Sequence, residues 1–239
     1  MHALSRDLKA QAREKMLGGY SLFILPLLLY FIAMLVVSML PVSLFPGETT
    51  LQLVMQLALS FFLDVFLAML GVGLIRIAYR MEKGEPFVFS ELFYAFRNQT
   101  DQYLKIELLF TLITLILSIP SWFLGSAYSS GAISLIMYYI YYAALCAFVT
   151  VFSALITVRI RWSLYLLMDE PGLGAMEALK KSIAITKGKT LEIIYLMASF
   201  IGFYILSLCS FFVGFLYVRP YREMAFILYY KELQENSSL

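Results

Sequence analysis

Histidine is nearly missing from this chain, and the single one, His2, stands at the extreme N-terminus. A histidine-based metal site or a Ser-His catalytic pair needs an imidazole inside the fold, so both are set aside. Cysteine is almost as scarce. Cys146 and Cys209 each sit within an apolar run, where cysteine serves as a small hydrophobe, and no disulfide is expected. Charge is thin: 14% of residues are ionic, against about 25% in a soluble domain. A net charge of +2 offers no basic surface for nucleic acid. His-Glu-x-x-His, paired cysteines and a Gly-x-Ser-x-Gly elbow are all absent. Gly71-Val72-Gly73 lacks the surroundings of a phosphate loop and reads as close helix packing. No enzyme, cofactor or metal is expected from such a chain.

Apolar residues are what it has. They make up 62% of the 239 positions, with mean hydropathy +0.82, against roughly 45–50% in soluble proteins. One water-soluble core cannot hide that excess, so the chain belongs in lipid. The expected fold class is all-α, a polytopic membrane helix bundle forming one domain over residues 1–239. Tyr20 to Leu40, Leu51 to Tyr79, Leu104 to Phe123 and Ala132 to Val158 are each long enough to span a bilayer, which takes about 20 residues. Ile119-Pro120 is expected to end the third. Leu191 to Val218 is too long for one span and too short for two. Extending it to Tyr230 gives two spans with a tight turn near Cys209 to Gly214, the second holding Arg219, Pro220 and Arg222. The total is six.

Three amphipathic segments punctuate these runs. Leu4, Leu8, Ala12 and Met16 form a stripe in the first, which reads as a surface helix rather than a signal peptide. Phe89, Leu92, Phe93 and Phe96 follow helical spacing in the second, and Met176, Leu179 and Ile183 in the third. Each segment precedes a span, which suggests three repeats of surface helix plus helical hairpin, over about 1–80, 81–160 and 161–239. A collar of these helices on the membrane surface is the natural arrangement. Trp162, Tyr165 and the tyrosines Tyr138, Tyr139, Tyr141 and Tyr142 are expected at the membrane–water interfaces. Lys and Arg number four before the first span, five from Arg76 to Lys105 and six from Arg159 to Lys189, while Pro41 to Thr50 and Gly125 to Gly131 have none. Basic loops stay cytoplasmic, so both termini are placed there, in a cell membrane.

Ionisable groups within the runs are the candidate site. Asp64 lies near the middle of the second span, where a carboxylate is costly and faces a bundle interior or water. Counting from the outer face puts it at a depth comparable to Arg219 and Arg222. An intramembrane charge pair of Asp64 with these arginines, Arg222 foremost, is the expected arrangement. Glu48 is an alternative partner for Arg219. Glu223 is a rival for either arginine, disfavoured because its neighbour Arg222 points to another helix face.

A family likeness resides in Asp169-Glu170-Pro171, Ala178-Leu179-Lys180-Lys181-Ser182, Thr186-Lys187-Gly188-Lys189, Ser199 to Phe203, and the ending Pro220-Tyr221 with Tyr229 to Leu233. Ala12-Arg13-Glu14 with Gly18, and Phe89 to Phe93, belong to the same pattern. The chain resembles the domain of unknown function 975 family, bacterial integral membrane proteins without an assigned activity. Arg219 and Arg222 depart from the apolar neighbours expected around Pro220-Tyr221. A looser likeness is to the membrane domain attached to some glycerophosphodiester phosphodiesterases. The resemblance implies a multi-pass membrane protein and brings no catalytic residues.

The expected role is a non-enzymatic organiser of membrane partners or lipids, touching anionic headgroups at the cytoplasmic face, with protein partners or a second copy of itself as further ligands. The alternative is a small transporter or channel using Asp64 with Arg219 and Arg222. Topology is directly testable. A reporter active only outside the cytoplasm, fused after Leu239, should remain silent. Activity at that position would reduce the spans to five and put Arg219 and Arg222 outside.

Overall fold

In a computed structural model, which describes residues 2–17, 19–47, 49–210 and 213–237, the chain is built from helices, with no strand among the described residues. Helix α1 (His2–Met16) leads into the hairpin α2 (Tyr20–Leu44) and α3 (Thr50–Glu82). A 3-10 turn (Phe89–Phe93) and the short α4 (Tyr94–Arg97) precede the hairpin α5 (Thr100–Ser129) and α6 (Leu135–Ile160). Then come α7 (Trp162–Asp169), α8 (Ala175–Ile185), α9 (Thr190–Ala198), α10 (Ile201–Cys209) and α11 (Val213–Ser237). Among the described residues five segments are long and apolar enough to cross a membrane: α2, α3, α5, Leu135–Ser153 within α6, and Thr190–Cys209. Helix α11 has the length of a span but carries the ionic groups of the site described below.

Several boundaries differ from expectation. Pro120 does not end α5, which continues to Ser129. Proline removes one helix donor, the one that would meet the Ile116 carbonyl, and the helix runs on past that single loss. The reversal of the hairpin falls instead at Gly131, at φ 76°, a left-handed backbone conformation that glycine adopts without strain. The last apolar run does break after Cys209; Phe211 and Phe212, where the turn was expected, lie outside the described residues. A second break, at Ser199-Phe200, was not foreseen. Lys9 of α1 closes it, donating from Nζ to the Ser199 carbonyl at 2.7 Å and lying 4.5 Å from the Phe200 ring centroid. Burial pushes this ammonium below the ordinary lysine pKa.

The packed core gathers at the end of the bundle that holds the long basic loops. In α3 the fully buried residues run from Val65 to Glu82, and in α5 they stop at Thr111. Toward the other end the spans present apolar side chains outward. Helix α11 is the axis of the core, packing on α1, α2, α3, α8 and α10. Its direction relative to α3 is fixed by ionic and phenolic ties. Lys231 pairs with Glu82, and the Asp169 carboxylate accepts from Tyr230 at 3.0 Å and from Tyr79.

These contacts revise the collar. The α1 stripe of Leu8, Ala12 and Met16 is buried in the protein, where α1 packs along α11. Trp162 and Tyr165 are also interior, with no exposed surface, and the indole meets the Tyr229 and Tyr230 rings edge-on at 5.6 and 5.8 Å. They read as interface residues because an aromatic beside an arginine suits a headgroup layer as well as a core. Tyr139, Tyr141 and Tyr142 do face outward. In α8 only Leu179 of the expected stripe is buried; the inward face is Ala175, Ala178, Leu179 and Ser182. Small residues let α8 sit closely against α7, leaving Met176 and Ile183 outside.

Among the described glycines Gly73 has the closest neighbour. A Cβ there would lie 2.0 Å from the Leu92 carbonyl oxygen, so any other residue lifts the 3-10 turn off α3. Gly73→Ala is expected to cost about 2–3 kcal/mol, as overpacked sites do. Gly125→Ala, where a Cβ meets nothing within 4 Å, should be neutral or gain about 0.5 kcal/mol. Thermal unfolding in mild detergent checks both.

Candidate functional site

Five ionic side chains converge on one cavity of about 250 Å3 among α2, α3, α5, α6, α7 and α11. Arg161 stands at the joint of α6 and α7. Arg219, Arg222 and Glu223 come from successive turns of α11, and Glu107 from α5. Phe23, Tyr30, Leu74, Ile75, Ile106 and Ile160 supply much of the apolar wall. Gly71 faces the Tyr30 ring, 3.8 Å from where its Cβ would stand.

Glu223 organises the charges. It is 3% exposed and accepts from the Arg161 guanidinium and, through its other oxygen, from Arg222 at 3.1 Å. The side chains of adjacent helical residues were expected to diverge, yet a long guanidinium can turn back to its neighbour's carboxylate. Arg219 takes another partner: its guanidinium carbon lies 4.0 Å from the centroid of the Tyr30 ring. The Nε atoms of Arg161 and Arg222 are buried and have no hydrogen-bond partner among the described residues. Glu107 borders the cavity, buried, without an ion-pair partner among the described residues.

The structure does not bring Asp64 to the arginines. It lies in a separate groove of about 300 Å3 between α3 and α5, beside Ser60, Thr111, Thr114 and Ser118. Register explains this. Helices α3 and α11 run parallel, and the Glu82–Lys231 pair sets Arg222 level with Gly73. Asp64 is nine residues earlier on α3, roughly 13 Å away along the axis at 1.5 Å per residue. Depths counted from each span's outer end assumed that both helices start at one level, whereas α3 begins well before α11. Glu48, the other partner considered for Arg219, lies outside the described residues.

Two members of the site went unassigned in the sequence. Arg161 counts in the sequence only among the basic residues from Arg159 to Lys189, and Glu107 lies within the Leu104 to Phe123 run with no role assigned. Arg161 carried one signal, its place directly after a long apolar helix whose next residues are again apolar. Glu107 carried none beyond lying one helical turn inside its run.

Chemically the cavity can hold an anion. Arginine stays protonated and presents five donors in a planar fork suited to oxyanions. Among the described residues no serine, cysteine or lysine nucleophile lines it. Among the described residues no group of three or more His, Cys, Asp or Glu side chains is placed to hold a metal.

The sequence profile of a family described as protein of unknown function (DUF975) matches residues 1–237. The chain belongs to that family. No curated protein and no solved structure matches it. DUF975 membership covers essentially the whole chain, α1 through α11, and assigns no reaction to the cavity.

Glu223 and Asp64 should behave differently on neutralisation. Glu223→Gln leaves two guanidinium groups without their carboxylate in a poorly solvated site, at a cost of about 3–5 kcal/mol. Asp64→Asn, which breaks no ion pair among the described residues, should cost under about 1 kcal/mol. Thermal stability of the two variants in one detergent separates them, and equal losses would contradict the register.

Proposed function

We propose that this DUF975 protein is a non-enzymatic membrane organiser that gathers lipid, anionic headgroups above all, at its basic face, which is cytoplasmic and holds both termini. The observation that carries this reading is the exposed side of α8. Met176, Lys180 and Ile183 on α8, with Lys187 just past its end, recur at helical spacing and are all exposed, Met176 at 66% and Ile183 at 45%. Apolar and basic side chains alternating along one outward stripe suit the boundary between headgroups and acyl chains. Each lysine near an anionic surface gains about 1 kcal/mol.

In this reading α11 is the sixth span of a cell-membrane protein. Its charges do not forbid crossing, since they meet one another or an aromatic ring inside the bundle rather than lipid. Three repeats then follow in order: α1 with α2–α3, the Phe89–Arg97 segment with α5–α6, and α8 with α9–α10 and α11. The apolar outer surfaces of the spans are open to lipid, to protein partners or to a second copy.

A second reading, a small transporter or channel, draws on the groove beside Asp64. Ser60, Thr111, Thr114 and Ser118 give that carboxylate a polar surround in an otherwise apolar span. Arg219 and Arg222 belong to a different cavity, so such a path would pass two stations rather than one.

Lipid contact by α8 is tested with a fluorescent label on Ile183→Cys, in a chain whose Cys146 and Cys209 are replaced by alanine. In phosphatidylglycerol-containing bilayers, quenchers carried at headgroup depth should dim the label, and water-soluble quenchers should have little effect. Free access from water with no quenching from lipid would defeat the reading.

A further inference from the structure

The charged cavity is unbalanced. Three guanidinium groups line it, yet among the described residues only Glu223 forms an ion pair with them, through one oxygen to Arg161 and through the other to Arg222. Arg219 stacks on an aromatic ring and has no carboxylate at ion-pair distance among the described residues. The Nε donors of Arg161 and Arg222 are buried and have no partner among the described residues. Buried donors without acceptors are costly, and charged ones more so. Glu107 borders the same space from α5, so the five ionic groups sum to one excess positive charge.

We infer that this cavity seats a phosphate-class oxyanion on Arg219 and Arg222, carried by the headgroup of an anionic lipid. The inference rests on the lipid-organising role proposed above and assigns it an interior site. Arginine forks match the oxygens of a phosphate in pairs, and the lopsided charge supplies the attraction. Size fits as well. A volume of about 250 Å3 admits a headgroup, but falls short of the ~300–1,000 Å3 that encloses a whole drug-sized ligand, so acyl chains would stay outside. The apolar walls from α2, α3 and α5 suit the first carbons beside the headgroup. Free phosphate would find the same donors but gain nothing from those walls.

The test uses the full chain, purified in an uncharged detergent, with thermal unfolding followed as phosphatidylglycerol, phosphatidylcholine or inorganic phosphate is added at constant ionic strength. Phosphatidylglycerol should raise the midpoint and phosphatidylcholine should not. Arg219→Gln should weaken the phosphatidylglycerol response by at least about five-fold, the loss of a charge-assisted contact. This substitution orphans no carboxylate, and Arg219→Lys, which keeps the charge but not the fork, should respond between the two. The Lys180→Gln, Lys187→Gln double variant removes the surface contribution at α8 and should lower the response while leaving a saturable part that Arg219→Gln abolishes. An undiminished response in Arg219→Gln overturns the site. If the response is then lost in the lysine double variant, the surface reading stands without the cavity; if phosphatidylglycerol stabilises nothing, both fall. A shift by inorganic phosphate alone, lost in Arg219→Gln, supports the oxyanion seat and rejects the lipid as its source.

Discussion

The Glu223 carboxylate, held between Arg161 and Arg222, is the constraint on which the interior depends. A carboxylate and two guanidinium groups are each expensive away from water, and none is tolerable there alone. Sharing one carboxylate between arginines from two parts of the chain lets α11 carry charge through the bundle. It also pins the joint of α6 and α7 to α11, which no loop or sequence neighbour does. The aromatic core around Trp162, Tyr229 and Tyr230 packs just beyond this contact, and Asp169, Tyr79 and Tyr230 extend the polar network toward the Glu82–Lys231 pair. Together these ties hold α3, α7 and α11 in one register.

Stability is therefore concentrated at one end. The spans converge where the amphipathic segments and basic loops lie, and toward the far end α5 and α6 present apolar side chains outward. Within lipid that outward surface costs little, because a leucine loses no more against an acyl chain than against another leucine. Polar groups impose the opposite demand and must find partners inside. The charged cavity, the Asp64 groove and the Asp169 network all sit between helices for that reason. The outer stripe of α8 is a different case, with lysines and apolar side chains side by side where water and lipid meet.

The amphipathic segments show where the linear pattern misleads. Spacing located the first and third as helices, while the second is a 3-10 turn and one short α-helix with only Leu92 of its stripe buried, and spacing could not tell lipid from protein as the partner of an apolar stripe. For α1 the partner is α11. For α8 a face of small residues took the inward position, which hydrophobicity alone ranks below Met176 and Ile183. Among the ionic residues, Asp64 stood out because it is isolated in an apolar run, yet isolation in sequence says nothing of what another helix brings alongside. Arg161 and Glu107, near the ends of their runs, looked ordinary and proved interior.

What the sequence determined by itself is the kind of solvent and the kind of element. Long apolar runs admit only helices in lipid, since every backbone donor and acceptor must be satisfied within the segment. Family membership and the approximate helix boundaries followed from the same local signals. Register and partnership were left to the tertiary structure. Whether Arg222 or Arg219 reaches Asp64 depends on how far α11 is displaced along α3, about nine residues of helix, and no local spacing encodes that offset. It is set by the sum of distant contacts, Lys231 with Glu82, Tyr230 with Asp169 and Arg161 with Glu223, each formed between residues that the chain separates by 60 positions or more.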